Sequence, residues 1–338
     1  MKKIALGFVL LLLVVVLWVG SSTLIQEILT NENFDKPFFL TYFSTSNFSL
    51  YLISLTWKHK TLKLGTCPDL KSTAKIALHF CPLWFFANYF FNLSLSLTSV
   101  ASNTILSSTS GMFTLLLSIF FLKESPEIIK FLAVITATGG VICIGLSDDE
   151  GGSDNAWGDL FALFGAIVYA TYSVFIKAKA SNVDMVIFFG CVGAINVFLL
   201  FPGFIILNFS GIEPFEFPSA TTLGLLFLNA LFGTVLSDML WALSVRLLNP
   251  ALCTVGLSLT IPLSMVVDTM LHQFTYSAVY ILGALLIVLG FVLLSIYENP
   301  KLRAKISNES IFKILGINRN KETEVLLEKK ETQEISMT

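Results

Sequence analysis

Ten apolar stretches follow one another along the chain, at residues 4–25, 38–57, 76–97, 101–122, 128–146, 157–176, 185–207, 222–245, 250–271 and 278–297. Each approaches the ~20 residues that a helix needs to cross a bilayer, with polar segments between them. The pattern predicts an all-α polytopic membrane protein with ten transmembrane helices. Met1, Lys2 and Lys3 precede the first stretch as in a signal peptide. That stretch outruns a signal core of ~7–15 residues and lacks a clear small-x-small cleavage site, so it reads as an uncleaved span.

The polar segments are sorted by charge. With the amino terminus in the cytoplasm, 20 of the 21 Lys and Arg residues fall on the cytoplasmic side and only Lys36 lies opposite. The far side carries acids instead: Glu27, Glu32, Asp35, Asp148, Asp149, Glu150, Asp154, Glu213 and Glu216. The positive-inside rule then puts both termini in the cytoplasm and requires an even number of spans. The expected location is an endomembrane (Golgi or endo-lysosomal) or the plasma membrane.

Sliding the chain against itself by 150 positions superimposes Ala101, Thr104, Ser108 and Gly140 on Ala251, Thr254, Ser258 and Gly290, and Leu93-Ser94 on Leu243-Ser244. Spans three to five thus fall on spans eight to ten. An odd number of spans per half forces the halves into opposite orientations, as in many secondary transporters. The expected organisation is one five-helix repeat at 1–147, an acidic linker at 148–156, a second, inverted five-helix repeat at 157–298, and a charged tail at 299–338.

Composition narrows the function. Of 338 residues 55% are hydrophobic and 13% charged, against about 25% charged in soluble domains. The net charge of −2 excludes a basic nucleic-acid binder. Cys67, Cys81, Cys143, Cys191 and Cys253 show no CxxC spacing and read as small core residues, with no metal site and no disulfide framework. His59, His79 and His272 lie far apart, and no HExxH or GxSxG motif occurs, so no catalytic residue, enzyme activity or cofactor is expected.

Polar side chains inside spans are costly, so their positions carry the information about function. Thr234, Asp238 and Trp241 follow one another at i, i+4, i+7 in span eight, along one helical face. The 150 shift puts Asn88 at the place of Asp238, with Trp84 and Asn92 four residues to either side. Asn commonly bridges membrane helices, so Asn88 and Asn92 suit an interhelical bond as well as they suit a ligand. Trp18, with Ser22 and Gln26 on its face, adds an aromatic wall from span one. Ser110, Thr114 and Ser118 form a hydroxyl stripe in span four, matched by Thr260, Ser264 and Asp268 in span nine. Pro262 removes a backbone donor there. No Lys or Arg is placed deep inside a span, and phosphate recognition normally needs one. Asp238 with Trp84, Tyr89 and Trp241 suits an organic cation, held by charge and by the aromatic faces.

The segments Leu17-Trp18-Val19 with Ser21-Ser22, Lys36-Pro37-Phe38-Phe39, Leu83-Trp84-Phe85 with Ala87-Asn88-Tyr89, and Leu106-Ser107-Ser108-Thr109-Ser110 resemble those of the solute carrier 35 F-type transporters of the drug/metabolite transporter superfamily. Gly233-Thr234-Val235-Leu236-Ser237 and Leu257-Ser258-Leu259-Thr260-Ile261-Pro262-Leu263-Ser264 extend the likeness to about Pro300. The resemblance implies ten helices in two inverted halves and an EamA-like transporter without covalent chemistry. It also implies cargo of the thiamine-like or nucleotide-sugar class. Asp238 stands where the resemblance implies Glu.

The expected function is a secondary transporter of a small polar organic metabolite, thiamine-like or another organic cation, with proton coupling through Asp238. The alternatives are a nucleotide-sugar antiporter and a non-transporting membrane scaffold. The expected substrate site is Asp238, Asn88, Trp84, Trp241, Trp18, Thr234, Ser110, Thr260 and Asn92. The expected partners are the small-molecule substrate and the lipid bilayer, with a second copy of the chain and a sorting adaptor as further candidates. The adaptor would read Glu322, Leu326 and Leu327 in the tail.

Overall fold

The computed structural model describes residues 2–30, 34, 36–53, 70–95, 97–98, 100–147, 156–180, 183–272 and 276–298. Among these residues the regular structure is all helical, with no strand. In chain order the helices are α1 (Lys2–Thr30), α2 (Pro37–Ser46, followed by a 3-10 turn at Asn47–Ser49) and α3 (Leu70–Leu95). Next come α4 in two halves, α4a (Val100–Ser108) and α4b (Ser110–Phe121), then α5 (Ile128–Ser147) and α6 (Ala156–Lys179). α7 is divided into α7a (Met185–Leu199) and α7b (Phe201–Ser210). α8 runs from Ala220 to Asn229, through a π turn at Ala230–Leu236, to Ser237–Leu247. α9a (Pro250–Leu257), α9b (Thr260–His272) and α10 (Ala278–Glu298) complete the series.

Every predicted span falls on a helix, but the helices are not equivalent. Eight among the described residues are long and apolar enough to cross a membrane by length and composition. Span nine is a shorter apolar helix, Pro250–Val266, and span two continues beyond Ile53 into residues outside those described. Residues 148–155 of the acidic linker and the whole tail at 299–338, with Glu322, Leu326 and Leu327, also lie outside the described residues. The chain divides into one compact unit, Met1–Ser295, and a second, Ile296–Thr338.

Local chemistry explains the ends and breaks. Pro37, Pro202 and Pro250 each occupy the first turn of a helix, where a missing backbone donor costs nothing. Asp184 caps α7a by accepting from the N–H groups of Val186 (2.8 Å) and Ile187 (3.3 Å). Ser219 caps α8 through the Thr222 N–H at 3.1 Å, and Asn249 caps α9a through that of Ala251 at 2.8 Å. α7b stops at Gly211, whose φ of 70° suits the left-handed position after a helix. α4 breaks at Thr109 and α9 at Ser258–Leu259, places that correspond under the 150 shift.

The bundle is built around α3, α6 and α8. α3 packs on α6 and α7, α1 runs along α8, and α4 lies across α6. α5 and α10 cross where small residues let their backbones touch: a Cβ added to Gly140 would sit 2.5 Å from the Gly283 carbonyl oxygen and 2.8 Å from the Ile287 nitrogen. Added to Gly290, it would sit 2.6 Å from the Ala133 oxygen and 2.7 Å from the Ala137 nitrogen. The two helices therefore run antiparallel, in the close small-residue packing that membranes favour.

Candidate functional site

The π turn in α8 makes room for the site. One residue is added per turn there, and Ser237 fills the loosened ladder by donating to the Gly233 carbonyl at 2.6 Å. The same hydroxyl accepts from the Trp18 indole N–H at 3.2 Å, which ties α1 to α8 beside the next residue, Asp238. Asp238 is 4% exposed. No hydrogen bond or ion pair reaches its carboxyl group among the described residues. Leaving a carboxyl group buried without partners costs several kcal/mol in general, so the position is not one that stability alone would select.

An aromatic cluster begins one helical turn beyond it, at Trp241. Trp84 from α3, Trp241 from α8 and Tyr172 from α6 form a triangle with centroid separations of 5.0, 5.4 and 6.3 Å. Trp84 and Trp241 are 3% and 1% exposed. Phe48 backs Trp84 at 5.7 Å, and Tyr169 stands 6.0 Å from Trp241. The Trp241 indole N–H and the Tyr169 hydroxyl are near each other without closing a bond of ordinary geometry. Tyr51 donates to the Val235 carbonyl at 2.6 Å, three residues before Asp238 on α8.

The structure thus brings together Asp238, Trp84, Trp241 and Trp18. Thr234 sits half-buried on the π turn. The two asparagines are engaged elsewhere. Asn88 turns its amide back onto the Trp84 carbonyl of its own helix at 2.8 Å, and Asn92 reaches the Thr41 hydroxyl on α2 at 3.1 Å. Thr260 spends its hydroxyl proton on the Leu257 carbonyl at 2.8 Å, which satisfies the break in α9. Ser110 is buried at the start of α4b. Pro262 lies in the first turn of α9b and offers no N–H to the carbonyl of Ser258, four residues before it at the break in α9; that carbonyl accepts from Ile261 at 3.2 Å instead. Asp268, Ser22 and Gln26 belong to described helices, but their side chains lie outside what the structure describes.

Tyr89 does not join the tryptophans. It follows Trp84 by five residues, about 140° further round the helix, and packs on Phe38 and Phe85 at 5.8 and 6.0 Å. Tyr51 and Tyr172 take the place expected of it. No periodicity along the chain marks them out, since only tertiary packing carries Tyr51 to the Val235 carbonyl and Tyr172 to Trp84 and Trp241. The available signal was their type, a hydroxyl-bearing ring in an apolar run.

Charge in the site is one-sided. Lys177 is at the end of α6 and donates to the carbonyls of Val245 (3.2 Å), Arg246 (2.7 Å) and Leu248, the open C-terminal end of α8. Lys130 is paired with Glu124 at 3.0 Å. Among the described residues no basic group pairs with Asp238. No cluster of metal-ligating side chains occurs among them either.

The EamA-like transporter family model matches the chain twice, over residues 5–146 and 156–296. An uncharacterized transporter of Schizosaccharomyces pombe is 40% identical, over 87% of this chain and 96% of its own. Solute carrier family 35 member F5 of Bos taurus is 32% identical, over 88% and 78%. A thiamine-repressible mitochondrial transport protein of Saccharomyces cerevisiae is 33% identical, over 86% and 91%. A protein known from a crystal structure shares the fold, with a TM-score of 0.65 at 16% identity over 88% of this chain and 97% of its own. With the family pattern present in both halves around a shared helical core, the chain belongs to the EamA-like transporter family.

Proposed function

We propose that this transporter carries a small organic cation by alternating access, with Asp238 as the charge that receives it. The observation that carries the reading is a carboxyl group 4% exposed, without partner among the described residues, one helical turn before Trp241, whose ring meets those of Trp84 and Tyr172. An acid held there is matched by a ligand that brings its own positive charge, and aromatic faces attract the same charge. A nucleotide sugar would bring a diphosphate to a site where, among the described residues, no Lys or Arg pairs with Asp238.

Two inverted halves suit alternating access. The reading is supported by the antiparallel crossing of α5 and α10 and by helix breaks at corresponding places in α4 and α9. The positive-inside rule puts the side carrying Lys130, Lys177 and Arg246 in the cytoplasm. The yeast relative's name records repression by thiamine and mitochondrial transport. Thiamine, an aromatic cation, is accordingly the first cargo to test.

The test is uptake of labelled thiamine and of tetraethylammonium into proteoliposomes, beside exchange of nucleotide sugars. Asp238→Asn keeps the volume and removes the charge, and is expected to abolish cation uptake with the melting temperature preserved. Undiminished cation uptake by Asp238→Asn, or exchange of nucleotide sugars in its stead, would refute the reading.

A further inference from the structure

Among the described residues the two ends of the bundle differ in how deeply the halves of α4 and α9 are buried, and a polar cluster stands at the more buried end. On the basic side α4b packs against α9a. There Gly111 faces Val255, and the hydroxyl oxygens of Thr114 and Thr254 are 3.4 Å apart. Every residue of α9a from Pro250 to Leu257 is buried, as are Ser110, Thr114 and Ser118 of α4b. The 150 shift maps α9a onto 100–107 and α4b onto 260–271. Those counterparts behave differently. Between Ser102 and Ser108 only Asn103 is buried, and between Thr260 and Val266 no residue is. Among the described residues the basic-side halves are therefore buried against each other, and their acidic-side counterparts are less buried.

A polar cluster joins the more buried ends. Glu124, just beyond α4b, accepts from the Asn249 amide at 2.5 Å through one carboxylate oxygen and from Lys130 at 3.0 Å through the other. Asn249 is at the same time the cap of α9a, its own oxygen accepting the Ala251 N–H. Glu124 thereby holds the first turn of α9a to the end of α4 and the start of α5. The repeat offers nothing equivalent at the other end: Glu124, Lys130 and Asn249 correspond to Phe274, Tyr280 and Ser99.

We infer that Glu124, Lys130 and Asn249 form a one-sided latch that biases the transporter towards the state closed on its basic side. Opening that side breaks the Glu124–Asn249 bond and parts Thr114 from Thr254. By the same repeat correspondence, closing the acidic side brings Thr104 against Ser264, the counterparts of Thr254 and Thr114. An equilibrium of this kind shifts by the difference in free energy that the latch contributes to one state alone.

The inference rests on the alternating-access reading, and cross-linking tests it in the full chain. Cysteine pairs at Thr114 and Thr254 and at Thr104 and Ser264 are oxidised in liposomes, and the joined peptides are measured by mass spectrometry, which separates them from the native cysteines. Wild type is expected to favour the first pair. Asn249→Asp keeps the cap but sets a carboxylate against Glu124, and is expected to move the ratio towards the second pair by roughly tenfold or more, the scale of a hydrogen bond to a charged group. Adding Glu124→Gln restores a donor facing an acceptor and should return the ratio to that of wild type. An unchanged ratio in Asn249→Asp that melts like wild type overturns the latch and leaves the transport reading to the flux assay. Both pairs joined in the same wild-type molecules would overturn the two together.

Discussion

Gly140 on α5 and Gly283 on α10 meet backbone to backbone, each occupying the space that the other's Cβ would need. Gly290 stands in the same relation to Ala133, and the 150 shift carries Gly140 onto Gly290 and Ala133 onto Gly283. The crossing is thus one contact made twice, related by a two-fold axis between antiparallel helices. Gly140→Ala and Gly290→Ala should each lower stability by about 1–3 kcal/mol, the usual range for forcing a methyl into a packed contact. Gly139→Ala is the control, because nothing lies within 4 Å of its Cβ position. Melting in detergent checks all three, and equal losses at 140 and 290 with none at 139 are expected.

The aromatic triangle makes a separate prediction. Trp241→Phe keeps a ring beside Asp238 but weakens its attraction for a cation, a term of about 0.5–2 kcal/mol. Binding of thiamine or tetraethylammonium should weaken by roughly twofold to thirtyfold, since each 1.4 kcal/mol is a factor of about ten. Tyr172→Phe keeps the ring face and removes only a hydroxyl, and should weaken binding less. Isothermal titration with the reconstituted protein measures both, and Trp241→Phe binding as tightly as wild type would remove the indole from the site.

Asp238 and its tryptophans were legible in the sequence because acids and indoles are rare in apolar helices and stand out by cost alone. The 150 shift was legible because small residues at Gly140 and Gly290 and hydroxyls at Thr104 and Thr254 are tolerated in few other places. Asn88 was less legible. Its spacing placed it opposite Asp238, but an amide four residues beyond a free lone pair turns back to its own helix, and the sequence does not reveal that rotation. The π turn at Ala230–Leu236 carries no signature in its residues, and the approach of Tyr51 and Tyr172 depends on which helices become neighbours. The latch was hidden for the same reason, since Glu124 and Asn249 are 125 positions apart.

On the acidic side two neighbouring acids should behave differently. Glu213 accepts from the N–H groups of Phe38 (2.9 Å) and Phe39 (3.0 Å), so it caps α2 from another loop and lies where the helix dipole favours a negative charge. Glu216 pairs with Lys36 at 3.5 Å, but its own side chain is 70% exposed. Glu213→Ala should cost about 1 kcal/mol, typical of a lost cap. Glu216→Ala should fall near zero, about 0–1 kcal/mol, as surface pairs usually do. Chemical or thermal unfolding in detergent separates the two, and equal losses would show that the cap on α2 carries no weight.

The Asn208 sequon should remain unmodified, although the charge pattern puts it on the non-cytoplasmic side. Glycosylation requires an asparagine amide that projects freely from the surface. Asn208 instead lies inside α7b, and its side-chain oxygen accepts the Phe215 N–H at 3.0 Å. It also lines a lateral groove of about 420 Å³ with Phe39, Phe204 and Phe209, walls suited to acyl chains. That bond fixes the amide group, and a glycan on its nitrogen would have to leave from within a helix and cross an apolar belt. Treatment with an endoglycosidase is therefore expected to leave the mass of the protein unchanged, and Asn208→Gln should migrate with wild type. A mass loss on treatment that vanishes in Asn208→Gln would show that α7b opens far enough in the membrane to release this amide.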